Sequence, residues 1–517
     1  MEAAIVRVCV ASVLLLCAWT ALYRLWLKPK KLEKQMRQHG FQGNPYRFWF
    51  GDKKEEVAML IEANSKPLPL YHHDIAPRVI PVLHKLVSHY GKKAFTWVGP
   101  TPRLIVTDPE MIKEILNKNY IYQKPKTNFP LLKLFVYGLP LYEGDKWAKH
   151  RRLLNPAFHY EKLKGMLPAI DFSCSEMIKK WQEMILEGRN ACVLDVWPSL
   201  QAFTCDVISR TAFGSSYEEG SRVFELQVEQ CQLVVEGLGL PYIPGSRFLP
   251  TKRNRRMKEI DRQVRILVKG IIDKKMKVMK SGKVSTTDLL GIMLEANSQE
   301  VEQGNKNAGM SIDDIVEECK MFYVVGQDTT SILLVWTMIL LSMYPSWQDR
   351  ARKEIDEVIG NDKVNVDHLN QLKVVTMILY EVLRLYPPNS VLVRKKSKGT
   401  QLGVLKSLQA EMGLVLPINL VHVDQDIWGA DAKEFNPERF SKGIMNATNG
   451  QTAAYFPFGL GPRICIGQNF TMLEAKIAMA KILKTFSFEL SPSYTHAPYN
   501  CLTVKPQYGA SLILHRL

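Results

Sequence analysis

Two long apolar runs interrupt a chain whose hydrophobic spacing is otherwise mostly that of amphipathic helices. The first runs from Val8 to Tyr23, and to Leu27 if Arg24 lifts its charge to an interface along its own stem. Taken from Ala3 to Leu27, it reaches the roughly 20 residues a membrane-crossing helix needs. Lys28, Lys30, Lys31, Lys34 and Arg37 follow at once, and Pro29 is expected to stop the helix. Before the run stands only Arg7, offset by Glu2, so the positive-inside rule puts the remainder of the chain in the cytosol. A cleaved signal peptide is the alternative, but no small-residue cleavage site comes after the run, only Trp26 and lysines. The expectation is a retained transmembrane anchor over residues 1–28 and a cytosolic domain over 29–517.

The second run, Met321 to Tyr344, is also long enough to cross a bilayer, but its interior reads Val325-Gly326-Gln327-Asp328-Thr329-Thr330-Ser331. A carboxylate there would cost a few kcal/mol in lipid, and no basic cluster flanks the run. It reads as a long helix through the core of a large domain, polar where it meets something functional. Loop signals fall at Gly138-Leu139-Pro140, Gly214-Ser215-Ser216, Pro241 to Pro250 and residues 299–311. Lys252 to Lys280 reads as an amphipathic surface helix, and after Pro387-Pro388 shorter runs such as Leu414 to Val423 suggest a small sheet. With no repeat and no linker, the expected fold is one large, mainly α domain with a small β-sheet region behind the anchor.

Composition narrows the function classes. The 517 residues are 46% hydrophobic and 23% charged, which excludes disorder, collagen and coiled coil. Nine cysteines without regular spacing give no disulfide framework, and the absence of C-x-x-C and H-E-x-x-H leaves zinc sites unsupported. The cysteine usage suits a reducing compartment. The net charge of +17 is spread along the chain, which fits an anionic membrane surface or an acidic partner as well as nucleic acid. No aromatic-interleaved basic stripe supports nucleic acid, so none is expected as a partner.

The candidate chemistry concentrates in Phe458-Gly459-Leu460-Gly461-Pro462-Arg463-Ile464-Cys465-Ile466-Gly467, which precedes a helix-like run from Gln468 to Leu483. A cysteine just before a helix N-terminus meets free backbone N–H groups and the dipole, both of which favour thiolate. Glycines around it would let a flat cofactor approach the backbone. A buried structural cysteine is the commoner alternative. Phe458, Gly461, Arg463, Cys465 and Gly467 stand at the spacing F-x-x-G-x-R-x-C-x-G, however, and this resembles the haem-thiolate signature of the cytochrome P450 family.

The resemblance extends along nearly the whole chain. Glu381 and Arg384 match the family's E-x-x-R element, and Asn436-Pro437-Glu438-Arg439-Phe440 its P-E-R-F element; together they imply an interior Glu381–Arg384–Arg439 cluster with a structural role. Trp147 and Arg151 form the W-x-x-x-R of the propionate-binding helix, with Arg394 and Arg463 as further propionate partners. Gly326, Asp328 and Thr329 match the (A/G)-G-x-(D/E)-T element of oxygen activation. The resemblance implies that Gly326 lets dioxygen near the backbone, Thr329 hydrogen-bonds it and Asp328 feeds protons. A kinked core helix with Ser/Thr back-bonding is the other reading of that cluster. Val325 stands where the family usually has Ala or Gly, which predicts narrowed access or altered regioselectivity.

Stretches such as Gly43-Asn44-Pro45-Tyr46-Arg47-Phe48 and Trp428-Gly429-Ala430-Asp431-Ala432 are similar to the plant subfamily containing secologanin synthase, whose members oxidise iridoid, gibberellin-type and triterpenoid substrates. Gly403 to Gly413 and Asn389-Ser390 depart from that pattern. The resemblance implies haem b, electrons from NADPH through a separate flavoprotein reductase, an optional cytochrome b-type donor, a small apolar terpenoid, and the endoplasmic reticulum membrane. Lys146, Lys149, Arg151 and Arg152 are candidates for a basic docking face. A haem-thiolate isomerase or dehydratase acting on a peroxide is the alternative enzyme, disfavoured by Asp328-Thr329. Two sequons, at Asn446 and Asn469, would carry glycan only if the topology were reversed.

Overall fold

The computed structural model describes residues 2–125, 129–186, 191–215, 217–239, 245–281, 288–302, 309–397 and 412–517. Most of the Gly403–Gly413 segment, and Tyr242 to Pro244, lie outside the described residues.

The N-terminal run forms helix α1 (Glu2–Leu22), none of it buried. Contrary to expectation, Pro29 does not stop it. A π-type turn, Tyr23–Leu27, leads directly into α2 (Lys28–Gln38), which carries Pro29 at its start. A proline leaves the carbonyl four residues earlier without its N–H partner. Here that carbonyl, Leu25 O, accepts instead from the Tyr46 hydroxyl at 2.6 Å. Pro29, Leu32 and Met36 are buried, so α2 belongs to the domain while α1 projects from it.

The domain is built on α3 (Gly144–Leu154), α4 (Tyr160–Leu186), α5 (Val196–Phe213), α6 (Tyr217–Gly239), α7 (Lys252–Lys280), α8 (Leu289–Glu302), α9 (Ile312–Met343), α10 (Lys373–Leu385) and α11 (Gln468–Thr485). The second apolar run is α9, as its polar interior predicted: it is long and apolar enough to cross a membrane, yet mostly buried in protein. Ser311 caps it, with Asp314 closing a capping box. Strands β1 (Gln42–Gly43), β2 (Ala94–Val98), β3 (Thr101–Ile105), β4 (Tyr122–Gln123), β6 (Val391–Lys396) and β7 (Gly413–Pro417) form a mixed sheet in the order β1-β2-β3-β7-β6-β4. β5 (Ala191–Asp195), β8 (Phe486–Leu490) and β11 (Ser511–Arg516) form a second, and β9 (Pro498–Cys501) pairs with β10 (Thr503–Pro506) in a hairpin against α9.

Several charged and aromatic polar groups inside this core are paired. Glu381 grips Arg384 through two 2.7 Å hydrogen bonds, both residues fully buried, and Arg439 approaches the same carboxylate at 3.4 Å. Arg384 also donates to His422 O and Glu434 O, and Arg439 to Asp431. The three residues therefore form the expected cluster. Nearby, His73 bridges the Tyr344 and Tyr386 hydroxyls at 2.8 and 2.9 Å, and His496 joins Tyr386 to Tyr494.

Burial holds these imidazoles neutral, with pKa values lowered to about 3 for His73, about 3 for His422 and about 4 for His496. In the unfolded chain each would protonate near 6.5, so unfolding takes up protons as the pH falls through that value. Stability is then full above about pH 6.5 and declines below it by up to about 1.4 kcal/mol per pH unit for each histidine. Urea titrations at pH 7.5 and 5.5 are expected to show a lower midpoint at 5.5, and His496→Gln to reduce the difference.

Candidate functional site

Cys465 lies two residues before Gly467, which caps α11. Its N–H donates to Phe458 O at 2.8 Å, closing the loop Phe458–Cys465 on itself. Gly461 needs its hydrogen: φ is +72°, and a Cβ would stand 2.6 Å from Asn117 Oδ1 and 2.7 Å from Leu116 O, at the end of the short helix Pro109–Asn117. Burial raises the Cys465 thiol pKa, against the Gly467 N–H and the Arg151 charge that lower it. The helix terminus is present as expected, but in the protein alone desolvation outweighs it.

Across from this loop, Val325, Gly326 and Thr329 of α9 line one cavity with Cys465, Gly467 and Thr471. A Cβ on Gly326 would meet Ile208 Cδ1 at 2.7 Å, so this glycine also lets α5 cross α9 closely. Thr329 donates to Val325 O at 2.9 Å and Ser331 to Asp328 O at 3.0 Å: the helix has the back-bonding of the alternative reading while Thr329 still lines the cavity. Asp328 is not among the lining residues. It turns to the β9–β10 hairpin, accepting from Thr503 Oγ1 at 2.6 Å and pairing with Lys505 Nζ at 2.7 Å, and its side chain is 21% exposed.

A set of cations gathers beside the cysteine loop. Arg151 of α3 donates to Ile464 O at 2.7 Å. Arg463 donates to Tyr142 O, pairs with Glu143 at 2.9 Å and lies 4.5 Å from the centre of the Trp147 ring. Arg394, on β6, is 5% exposed, and burial with the Arg463 charge lowers its pKa to about 10. Lys124 joins them, with burial, Arg394 and Arg463 lowering its pKa to about 7. Among the described residues, Glu143 is the one carboxylate that counters Lys124, Arg394 and Arg463. Arg463 Nε has no hydrogen-bond partner among the described residues. Four cations against one acid at such burial is the donor set of a place built for carboxylates.

The sequence pointed to Trp147, Arg151, Arg394 and Arg463 but not to Lys124, Glu143, Thr503 or Lys505. No local spacing marks those four; each joins its cluster from a distant element. The proposed docking lysines and arginines have partners within the chain: Lys146 pairs with Asp314, Lys149 donates to Gly309 O, and Arg152 pairs with Glu300.

The cytochrome P450 family model matches residues 67–513 of this chain. The chain belongs to the cytochrome P450 family. It is 58% identical to cytochrome P450 72A397 of Kalopanax septemlobus over 97% of this chain and 95% of that one. It is also 53% identical to the 7-deoxyloganic acid hydroxylase of Catharanthus roseus, over 95% of each. A retinoic acid-bound cyanobacterial P450, CYP120A1, superposes with a TM-score of 0.72 over 87% of this chain and 98% of that one at 21% identity, a likeness of fold. This P450 is thus a haem-b monooxygenase of the plant CYP72 type, taking electrons that originate in NADPH from a redox partner and acting on a small organic substrate. A cavity with a thiol on one wall, flanked by unbalanced buried cations, fits a flat iron porphyrin with two carboxylates.

The loop geometry makes Gly461→Ala costly, by about 1–3 kcal/mol. Its melting temperature should fall by several degrees, whereas Gly270→Ala, where a Cβ would meet open space, should not lower it.

Proposed function

We propose that this P450 is anchored in the endoplasmic reticulum by α1 and hydroxylates, or oxidises further, a plant terpenoid of triterpenoid, iridoid or gibberellin type. On this reading residues 1–28 are the anchor and 29–517 the cytosolic catalytic domain. A flavoprotein reductase docks there, with a cytochrome b-type protein as a second donor. The observation that carries the assignment is the shared cavity of Cys465 and the Val325–Gly326–Thr329 face of α9. The relative named as a hydroxylase of 7-deoxyloganic acid supports the terpenoid class.

Within that site Cys465 would supply the thiolate that holds the haem iron. Arg151, Arg394, Arg463 and Lys124 would hold the two propionates, with Trp147 against Arg463. Haem b, when bound, supplies the activation of dioxygen from which one oxygen atom enters a substrate C–H bond. The protein's task is to deliver protons and exclude bulk water. Asp328, part exposed and held by Thr503 and Lys505, takes protons from solvent, and Thr329 passes them to the cavity one residue further along α9. Gly326 keeps the wall low, and Val325 adds bulk beside it.

The test is the reduced carbon-monoxide difference spectrum of membranes carrying the wild type or Cys465→Ala. A thiolate-type Soret band in the wild type alone is the expected result; its presence in the variant overturns the ligand assignment. Turnover of iridoid, diterpenoid and triterpenoid substrates with a plant reductase should then require NADPH, and turnover of a peroxide without it would indicate an isomerase. Asp328→Asn should lower product formation by roughly 10²-fold while more of the NADPH consumed appears as hydrogen peroxide. Val325→Ala should shift the ratio of oxidised positions, read by mass spectrometry of the products.

A further inference from the structure

Helices α3 and α9 are joined by two rungs, one turn apart on each helix. Lys146 pairs with Asp314 at 2.6 Å, and four residues further along both helices His150 Nδ1 lies 2.6 Å from Glu318 Oε1. The outer rung is part exposed and contributes little. The inner one is fully buried, so breaking it strands a polar group in the core. The second Glu318 oxygen accepts from Leu139 N–H at 3.1 Å. Gly138 lets that loop come close: its φ is +95°, and a Cβ there would stand 3.0 Å from Glu318 Oε2. One buried carboxylate on α9 therefore holds both α3 and the loop of residues 138–143.

Those two supports carry three of the four cations beside the cysteine loop. Arg151 follows His150 on α3 and reaches Ile464 O at 2.7 Å. In the loop, Pro140 O accepts from Lys124 Nζ and Tyr142 O from Arg463, each at 2.6 Å. Glu143 accepts from Lys124 N–H at 3.2 Å and pairs with Arg463 at 2.9 Å. Arg394, the fourth cation, stands on β6. Val325 comes seven residues after Glu318, about 10 Å along the same helix. One straight element thus bears the cavity wall at one point and the anchorage of the cations at another. His150 Nε2 has no hydrogen-bond partner among the described residues, which leaves the bond to Glu318 as the one that fixes the ring.

On the reading that Arg151, Arg463 and Lys124 hold the propionates, on which this rests, we propose that Glu318 and His150 are a positioning pair for the haem. They fix the place of its carboxylate clamp against the α9 wall that bears Val325, Gly326 and Thr329. A helix and a loop that share one acid move together, so the cations keep a set separation from that wall. Neither residue lines the cavity, and their effect on the haem passes through α3 and the loop. The bond also accounts for a histidine inside α3 beside the arginine. An apolar residue would fill the space but leave a buried Glu318 oxygen without a donor.

The experiment uses the full-length, haem-loaded protein in lipid nanodiscs, with two readouts that need no substrate. These are the propionate-bending band of the resonance Raman spectrum and the rate at which haem passes to an excess of an apoglobin. His150→Phe keeps an aromatic ring beside Tyr142 but has no N–H for Glu318. It should shift the band and speed haem transfer about tenfold, the scale on which the loss of a supporting partner is felt at a bound metal. His150→Asn, whose amide N–H can take the place of Nδ1–H, should bring both readouts back to near wild type. Glu318→Gln, equal in volume but with one acceptor oxygen in place of two, should move them in the same direction as His150→Phe, and it decides the matter should that variant take up no haem. Ile272→Ala, a truncation in the core of α7, should lower the melting temperature and move neither readout. Unchanged readouts in His150→Phe and Glu318→Gln, no recovery in His150→Asn, or an equal change in Ile272→Ala overturns the proposal. Arg463→Gln separates the two levels. If it shifts the band and the pair variants do not, the positioning role alone fails; if it leaves the band unmoved, the propionate reading fails, and the positioning role with it.

Discussion

A 32-residue helix apolar enough for a bilayer has to be surrounded by protein on nearly every side, and that requirement organises this molecule. Helix α5 lies against it at Gly326, where a larger residue would strike Ile208. The β9–β10 hairpin is fastened to it by the Trp336 indole, which donates to Val504 O at 2.9 Å, and by Asp328. Its polar stretch sits where Cys465 faces it across a cavity, the part of its length at which full apolar contact is given up. Burial of the helix and placement of the chemistry are thus one arrangement: the same turn that would be too polar for lipid is the turn that meets the cofactor site.

The two buried charge clusters illustrate opposite solutions to desolvation. Around Glu381 every formal charge is matched, with the carbonyls of His422, Ala432 and Glu434 completing the donors of Arg384, so the cluster needs nothing from outside. Around Arg463 the balance is left positive, and Lys124 and Arg394 show the strain as lowered pKa values. Glu474, on α11 near the cavity-lining Thr471, is a third case. Burial raises its pKa well above the usual range, against a Thr330 hydroxyl that lowers it, so desolvation favours its neutral form.

How much of this could be read from the sequence depends on how far apart the partners lie. The cysteine loop, the Glu381–Arg384 pair and the polar turn of α9 are local patterns, and their types and spacing survive intact in the fold. Lys124, Glu143, Thr503 and Lys505 belong to their clusters only because sheet register and helix packing bring them there, so no window of the chain contains the reason. Gly326 was legible as a small residue but not as the seat of Ile208. Pro29 misled because a helix break was inferred from a lost hydrogen bond, and the replacement donor, the Tyr46 hydroxyl, comes from outside the helix.

That substitution has a mechanical result. Because α1, the π-type turn and α2 run on as one continuous helix, and because α2 is packed into the domain through Pro29, Leu32 and Met36, the exposed apolar helix extends from the body as an arm. At 1.5 Å per residue the continuous helix Glu2–Gln38, 37 residues with α2 included, measures about 55 Å. Were α1 seated in lipid, as its length and apolar surface suit, its tilt would be passed to the globular body. The height and facing of the body over a membrane surface would then be set by hydrophobic matching at the far end of that arm, with one tyrosine hydroxyl bracing its elbow.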